Sequence, residues 1–62
     1  MNAPLERSGT LILRVWVDGD ALRVRVLRSI GARQAPAIAV TTTEEVHLAV
    51  QAWFDELLRR DS

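Results

Sequence analysis

The residues of this sequence best suited to chemistry are a glutamate and the single histidine, at an E-x-x-H spacing. Glu44 and His47 would share one face of a helix, an arrangement that carboxylate-bridged di-metal bundles use. Such bundles need two copies of the element and further glutamates from other helices, and one histidine gives too few ligands. We therefore predict a solvated pair on the flank of a helix, with no metal site and no cofactor.

Signatures of catalysis are also missing. The sequence has no cysteine and no tyrosine, and we find no Ser/His/Asp set and no glycine-rich phosphate loop. Its carboxylates fall at turn, cap and helix-surface positions. Asp18 and Asp20, for example, flank Gly19, where aspartate is a typical turn residue. We predict that the protein is not an enzyme.

A second group of residues combines arginine and tryptophan with aliphatic side chains in two alternating runs. Its members are Ile12, Arg14, Trp16, Arg23, Arg25 and Leu27. Tryptophan and arginine are enriched at the hot spots of protein interfaces, where isoleucine and leucine can supply an apolar centre. Arginine beside tryptophan can also stack on bases and contact phosphates of single-stranded nucleic acid. The group predicts a protein interface, with nucleic-acid binding as the alternative and an ordinary solvated face as the simplest explanation.

Two strands must position this group. The alternation of apolar and polar residues predicts strands over about 10–17 and 21–29, which form a β-hairpin. A turn at Gly19 and Asp20 is favoured, and a four-residue loop from Asp18 to Ala21 would give the same pairing. A turn at Asp18 and Gly19 would instead slide the pairing by two residues and keep the same faces. The favoured register pairs Val17 with Leu22, Val15 with Val24, Leu13 with Val26, Trp16 with Arg23, Arg14 with Arg25 and Ile12 with Leu27.

The opposite face of the hairpin is apolar and needs a cover. It carries Leu11, Leu13, Val15, Leu22, Val24 and Val26. Thr42 and Glu45 form a capping box, which predicts a helix that runs to about Arg60. At 100° per residue its apolar side chains fall within one arc, and they are Val46, Ala49, Val50, Trp53, Phe54 and Leu57. Leu48 falls almost opposite that arc, so we expect it to be exposed and treat it as a candidate for helix association in an oligomer.

A loop over residues 30–36 and a short third strand over about 37–41 connect the hairpin to the helix. The third strand could pair with strand two, with the other edge or with a second chain, and exchange of elements between protomers stays open. The predicted fold is α+β: a small β-β-β-α unit with a three-stranded antiparallel sheet and one C-terminal amphipathic helix packed on one face. Residues 1–9 are predicted to be a flexible N-terminal tail and 10–62 a single domain.

Size and composition indicate a need for a partner. The chain has 62 residues, no cysteine and zero formal net charge, and a domain of this size buries only about 60% of its unfolded surface. Without disulfides or a metal, self-association is the remaining way to gain stability. We therefore expect a homo-oligomer, a dimer or higher. All eight basic residues are arginine, and residues 1–36 carry +6 and −3 (net +3) while 37–62 carry +2 and −5 (net −3).

The expected location is the cytoplasm. The sequence has no cysteine, which suits a reducing compartment. We find no signal peptide at its start and no apolar run long enough for a membrane span. We therefore expect a soluble cytoplasmic protein that does not bind membranes.

The order of elements, with a sheet first and a tryptophan near the end of a C-terminal helix (Trp53), is similar to that of small MbtH-like proteins, which are non-catalytic partners of larger enzymes. Those proteins carry a Ser-Leu-Trp-Pro run and a Gly-Trp pair, and this sequence has neither. The similarity is one of architecture, and no residue role is carried over from it. Independently of this similarity, a regulatory or antitoxin-like role beside a larger enzyme is a further interpretation of the predicted interface.

Overall fold

The structure is a computed structural model, and it describes residues 7–59. Its elements in chain order are β1 (Gly9–Asp18), β2 (Ala21–Ile30), β3 (Arg33–Gln34), β4 (Ile38–Val40) and α1 (Thr43–Leu58). β2 lies in the middle of the sheet, since it pairs antiparallel with β1 along one side and with β3 and β4 along the other. The predicted α+β fold, an antiparallel sheet with one C-terminal helix, is confirmed.

The hairpin has the favoured register. Gly19 and Asp20 form the turn, and the φ of Gly19 is +65°, as the first position of a type I′ or II′ turn requires. All six predicted cross-strand pairs occur, from Ile12 opposite Leu27 to Val17 opposite Leu22. The pairing is one-to-one along the whole length of β1, so the strand contains no bulge.

The segment predicted as a loop contains a short strand as well. Gly31 has a φ of +61°, which turns the chain back so that β3 pairs with the end of β2. The Ala35 amide then donates to the Arg28 carbonyl at 3.0 Å, and the Arg28 guanidinium donates to the Pro36 carbonyl at 3.1 Å. The predicted third strand is β4. It pairs with β2, which was one of the arrangements left open.

A capping box starts the helix. The Glu45 amide donates to the Thr42 hydroxyl at 3.0 Å, and the Glu45 carboxylate accepts the Thr41 amide at 2.9 Å. The hydrogen bond from the Thr41 backbone holds the pKa of Glu45 below its ordinary value, with smaller contributions from Thr42. The helix ends at Leu58, and Arg60, where it was predicted to end, lies outside the described residues.

The core lies between β2 and the helix. Its buried side chains are Val24, Val26 and Ala49. Partly buried residues of β1, β2, β4 and α1 pack around them, namely Leu11, Leu22, Ile38, Val40 and Val46. The helix therefore covers the expected face of the sheet but is centred on β2 and not on the hairpin as a whole.

The prediction that the helix covers the whole apolar face of the hairpin is wrong for β1. Leu13 is 39% exposed and Val15 58% exposed. A helix is about 10 Å wide, so it covers about two strands spaced at 4.8 Å. Because the helix lies over the β2 side of the sheet, the middle of β1 stays open. Phe54, predicted to face the sheet, is also exposed, and its ring lies 5.1 Å from that of Trp53.

Trp53 fixes the far end of the helix to the start of the sheet. Its indole N–H donates to the Ser29 carbonyl at 3.2 Å. A Cβ atom at Gly9 would lie 2.5 Å from the Ser29 carbonyl oxygen and 3.1 Å from Cζ2 of Trp53, so the close approach depends on glycine. Ser8 accepts a hydrogen bond from the Gly31 amide. These contacts involve residues 8 and 9 of the predicted tail, whose residues 1–6 lie outside the described part.

Candidate interaction surface

The outer sheet face, defined by Ile12, Arg14, Trp16, Arg23, Arg25 and Leu27, is assembled by the hairpin register. Trp16 lies opposite Arg23, and Ile12 lies opposite Leu27. Since successive side chains of a strand point to opposite faces, all six side chains lie on the face away from the helix. The six sheet residues predicted as an interface are therefore brought together on one surface.

This face is open to its surroundings. Ile12 is 51% exposed and Trp16 47% exposed, while the three arginines are exposed and Leu27 is half-buried. No other element within residues 7–59 packs against it, because the helix packs on the opposite face with the core. A large indole and a large aliphatic side chain are thus left half in water.

The outer sheet face has two chemically different ends. Near the start of β1, a shallow cleft is lined mainly by aliphatic and small polar residues, which are Thr10, Ile12, Leu27, Arg28, Ser29 and Gln34. Near the turn, Trp16 lies beside Arg23 and two residues along the strand from the pair of Arg14 and Arg25. The apolar end can exclude water, and the arginines can bind carboxylates, phosphates or an aromatic ring.

Leu48 does not belong to this surface. It is exposed on the side of the helix that faces away from the sheet. Since the helix packs on one sheet face and the six interface residues lie on the other, Leu48 and the outer sheet face point in opposite directions. One flat partner cannot contact both, so Leu48 would serve only a separate contact between helices.

A second exposed apolar surface was missed by the sequence interpretation. It consists of Leu13, Val15 and Val17 on the helix-facing side of β1, and Val17 is 67% exposed. A shallow groove runs beside it at the start of the helix, lined by Leu13, Val15, Leu22, Val24, Thr43, Val46 and His47. This surface could have been predicted by comparing widths, because one helix is narrower than a sheet that is three strands wide.

The remaining chemical candidates lie away from the outer sheet face. Glu44 and His47 are both exposed on the first turns of the helix. Among residues 7–59, no group of three or more potential ligands lies close enough together to hold a metal ion. In the same range no helix is both long and apolar enough to cross a membrane.

At the other end of the molecule, the Arg7 guanidinium donates to the Arg59 carbonyl. These two residues, with Arg33 and Glu56, line an open groove that mixes both signs of charge. An acid beside the arginines weakens the attraction of this groove for an anion. It is a weaker candidate for a binding site than the sheet surfaces.

Comparison with known proteins identifies no relative of this chain. No protein-family model matches the chain, and neither a curated protein nor a solved structure matches it.

Proposed function

We propose that this protein is a small, non-catalytic protein–protein interaction module that assembles as a homodimer through its outer sheet face or a sheet edge. The single observation that carries the proposal is the half-exposed pair Ile12 and Trp16 on an uncovered sheet face. Ile12 lies beside Leu27 and Trp16 lies beside Arg23, so both belong to one larger exposed face and are not isolated exposed residues. Exposed faces of this kind are found at interaction sites.

The size of the core supports the same proposal. Within residues 7–59 only Val24, Val26 and Ala49 are buried. Such a core leaves little stability to spare, and a partner that covers apolar surface would add to it by mass action. A second copy is always present at the protein's own concentration. We therefore favour a homodimer over a heterologous partner, although an accessory role beside a larger protein would use the same face.

We further propose that this interaction module acts in the cytoplasm. Its fold uses no disulfide, since the sequence contains no cysteine. It would thus fold equally well in a reducing compartment.

A pair of aromatic substitutions tests the use of the outer sheet face. Trp16 and Phe54 have nearly equal exposure, 47% and 46%, but lie on opposite sides of the molecule. We expect Trp16→Ala to weaken self-association, measured by light scattering after size exclusion, and Phe54→Ala to leave it nearly unchanged. Equal self-association of the two variants and the unmodified chain would contradict the proposal.

Nucleic-acid binding is the second candidate, and the arginines beside Trp16 are the observation that favours it. Arg14, Arg23 and Arg25 are exposed on one sheet face, and sheets with such side chains can bind single strands by stacking and phosphate contacts. The formal net charge of the chain is zero, which argues against it. It predicts binding to a single-stranded oligonucleotide that weakens with salt and is lost when the three arginines become alanine. Absence of binding at low salt ends this alternative.

A further inference from the structure

The backbone of β1 presents an open hydrogen-bonding edge. The hairpin closes at Asp18 and Ala21 around a two-residue turn, so these two residues form a hydrogen-bonded pair. Hydrogen-bonded pairs then recur at every second residue, and the even-numbered residues of β1 bond to β2. The N–H and C=O groups of Leu11, Leu13, Val15 and Val17 therefore point away from β2, toward the edge of the sheet.

Within residues 7–59 this edge lacks the devices that commonly prevent strand pairing. β1 is ten residues long, has no proline and no lysine, and pairs one-to-one without a bulge. Its charged side chains, Arg14 and Asp18, lie at even positions and so on the outer sheet face. The opposite edge is different, because β3 and β4 are only two and three residues long. Natural edges are usually short, bulged or interrupted by proline or lysine, and β1 is none of these.

The open edge coincides with the exposed apolar side chains of the helix-facing side. The same residues that point their backbone groups outward, Leu13, Val15 and Val17, are 39%, 58% and 67% exposed. A partner strand at this edge would pair the backbone groups and cover these side chains together. We propose that β1 pairs antiparallel with β1 of a second copy, so that two sheets become one continuous sheet around a two-fold axis at Val15.

Side-chain complementarity favours this register over a two-fold axis at Arg14. An axis at Arg14 would place the two copies of that arginine directly opposite each other, which is unfavourable. An axis at Val15 places Arg14 opposite the partner's Trp16 on the outer sheet face, twice by symmetry, where the guanidinium can stack on the indole. It also pairs Leu13 with the partner's Val17 on the helix-facing side. Residues 12–18 of both copies then lie side by side over about 23 Å.

The inference rests on the proposed homodimer and specifies how it forms. A dimer made by stacking outer sheet faces would leave the edge of β1 in water, so the two arrangements differ in which amides are protected from exchange. Amide hydrogen exchange of the full chain, followed by NMR at low and high micromolar concentration, reads this directly. Sedimentation of the same samples reports the oligomeric state.

We expect alternating behaviour along β1. The amides of Arg14 and Trp16 donate to β2 and should be protected at both concentrations. The amides of Leu13, Val15 and Val17 should exchange rapidly at low concentration and slow by at least about tenfold when the dimer forms. Rapid exchange of these three amides in a sample that sediments as a dimer would overturn edge pairing and leave the homodimer standing. A monomer at high micromolar concentration would overturn both.

Two substitutions at Val15 provide a matched comparison. Val15→Pro removes the outward N–H without removing a bond to β2, whereas Val15→Thr keeps the N–H and nearly the same shape. The symmetric dimer loses two hydrogen bonds with proline, so we expect its dissociation constant to rise more than about tenfold, against a few-fold at most for threonine. Equal dissociation constants for two folded variants would overturn the proposal. If Val15→Pro does not fold, Val15→Lys replaces it in the comparison with Val15→Thr, because the lysine places a charge at the edge and should likewise raise the dissociation constant.

The register has its own readout. In a mixture of isotope-labelled and unlabelled chains, nuclear Overhauser effects between Leu13 and the partner's Val17 are expected across the two-fold axis. Contacts between Leu13 and the partner's Val15 instead would overturn the axis at Val15.

Discussion

Replacement of Val26 by alanine tests where the core lies. Val26 has 0% exposure between the central strand and the helix, while Val17, on the neighbouring strand, is 67% exposed. Val→Ala removes two methyl groups, and a buried methylene contributes about 0.8 kcal/mol. The transfer loss is then about 1.6 kcal/mol, and the cavity that remains raises the expected cost of Val26→Ala to about 2–3 kcal/mol.

This cost is large for so small a protein. At about 0.05–0.15 kcal/mol per residue, a 62-residue chain has a free energy of unfolding of about 3–9 kcal/mol. Val26→Ala should therefore remove a substantial part of the stability. The same substitution at Val17 should change it by less than about 0.5 kcal/mol, because the side chain is mostly in water.

Urea unfolding followed by tryptophan fluorescence measures both variants, with Trp16 and Trp53 as reporters on the sheet and the helix. Low micromolar protein keeps self-association from contributing to the stability of the Val17 variant. Both variants carry the same Val→Ala change within a strand, so the difference between them reports how far each side chain is packed and buried at its position. Equal losses of stability at Val26 and Val17 would refute the placement of the core between β2 and the helix.

Three further substitutions test local contacts. Gly9→Ala should destabilise the fold by about 1–3 kcal/mol in the same urea assay, because the added Cβ meets a carbonyl oxygen of β2 at 2.5 Å; an unchanged midpoint would contradict this contact. Thr42→Ala should cost about 1 kcal/mol through loss of the helix cap, whereas Thr43→Ala, one residue later, should cost less. The hydrogen bonds that lower the pKa of Glu45 stabilise the fold above the ordinary carboxyl pKa of 4.5, and this contribution is lost as the pH falls through the lowered value. Glu45→Gln should thus reduce the acid dependence of stability, measured by urea unfolding at several pH values; an unchanged acid dependence would contradict this contribution.

Much of the hairpin follows from local signals in the sequence. The pair Gly19 and Asp20 sets the turn, and strict alternation then determines which side chains share a face. The group of Ile12, Trp16 and Leu27 could be predicted as one surface for that reason. The capping box at Thr42 likewise depends on residues within one turn of each other, so it could be read from the sequence.

The lateral position of the helix could not be predicted in this way. Helical periodicity indicates which side of α1 is apolar, but not whether that side lies over β1 or over β2. The position of the helix decides that Val15 and Phe54 are exposed. It depends on long-range contacts, above all the hydrogen bond from Trp53 to Ser29 and the glycine at position 9 that admits it.

The short strand β3 could not be predicted, because a strand of two residues is too short to show an alternation of apolar and polar side chains. Gly31 in the sequence predicts a loop, yet the positive φ that glycine adopts there also allows a tight reversal between two strands. To identify the open edge of β1, one must know both the register of the hairpin and that β4 pairs with β2. Sequence alone left that pairing open, so the edge could not be identified before the sheet order was known.

Sedimentation equilibrium of the unmodified chain, from low to high micromolar concentration, tests the central claim most directly. Homodimer formation predicts that the average mass rises with concentration from 6.9 kDa toward twice that value and does not exceed it. A constant mass of 6.9 kDa at high micromolar concentration would contradict the claim that this protein assembles with itself.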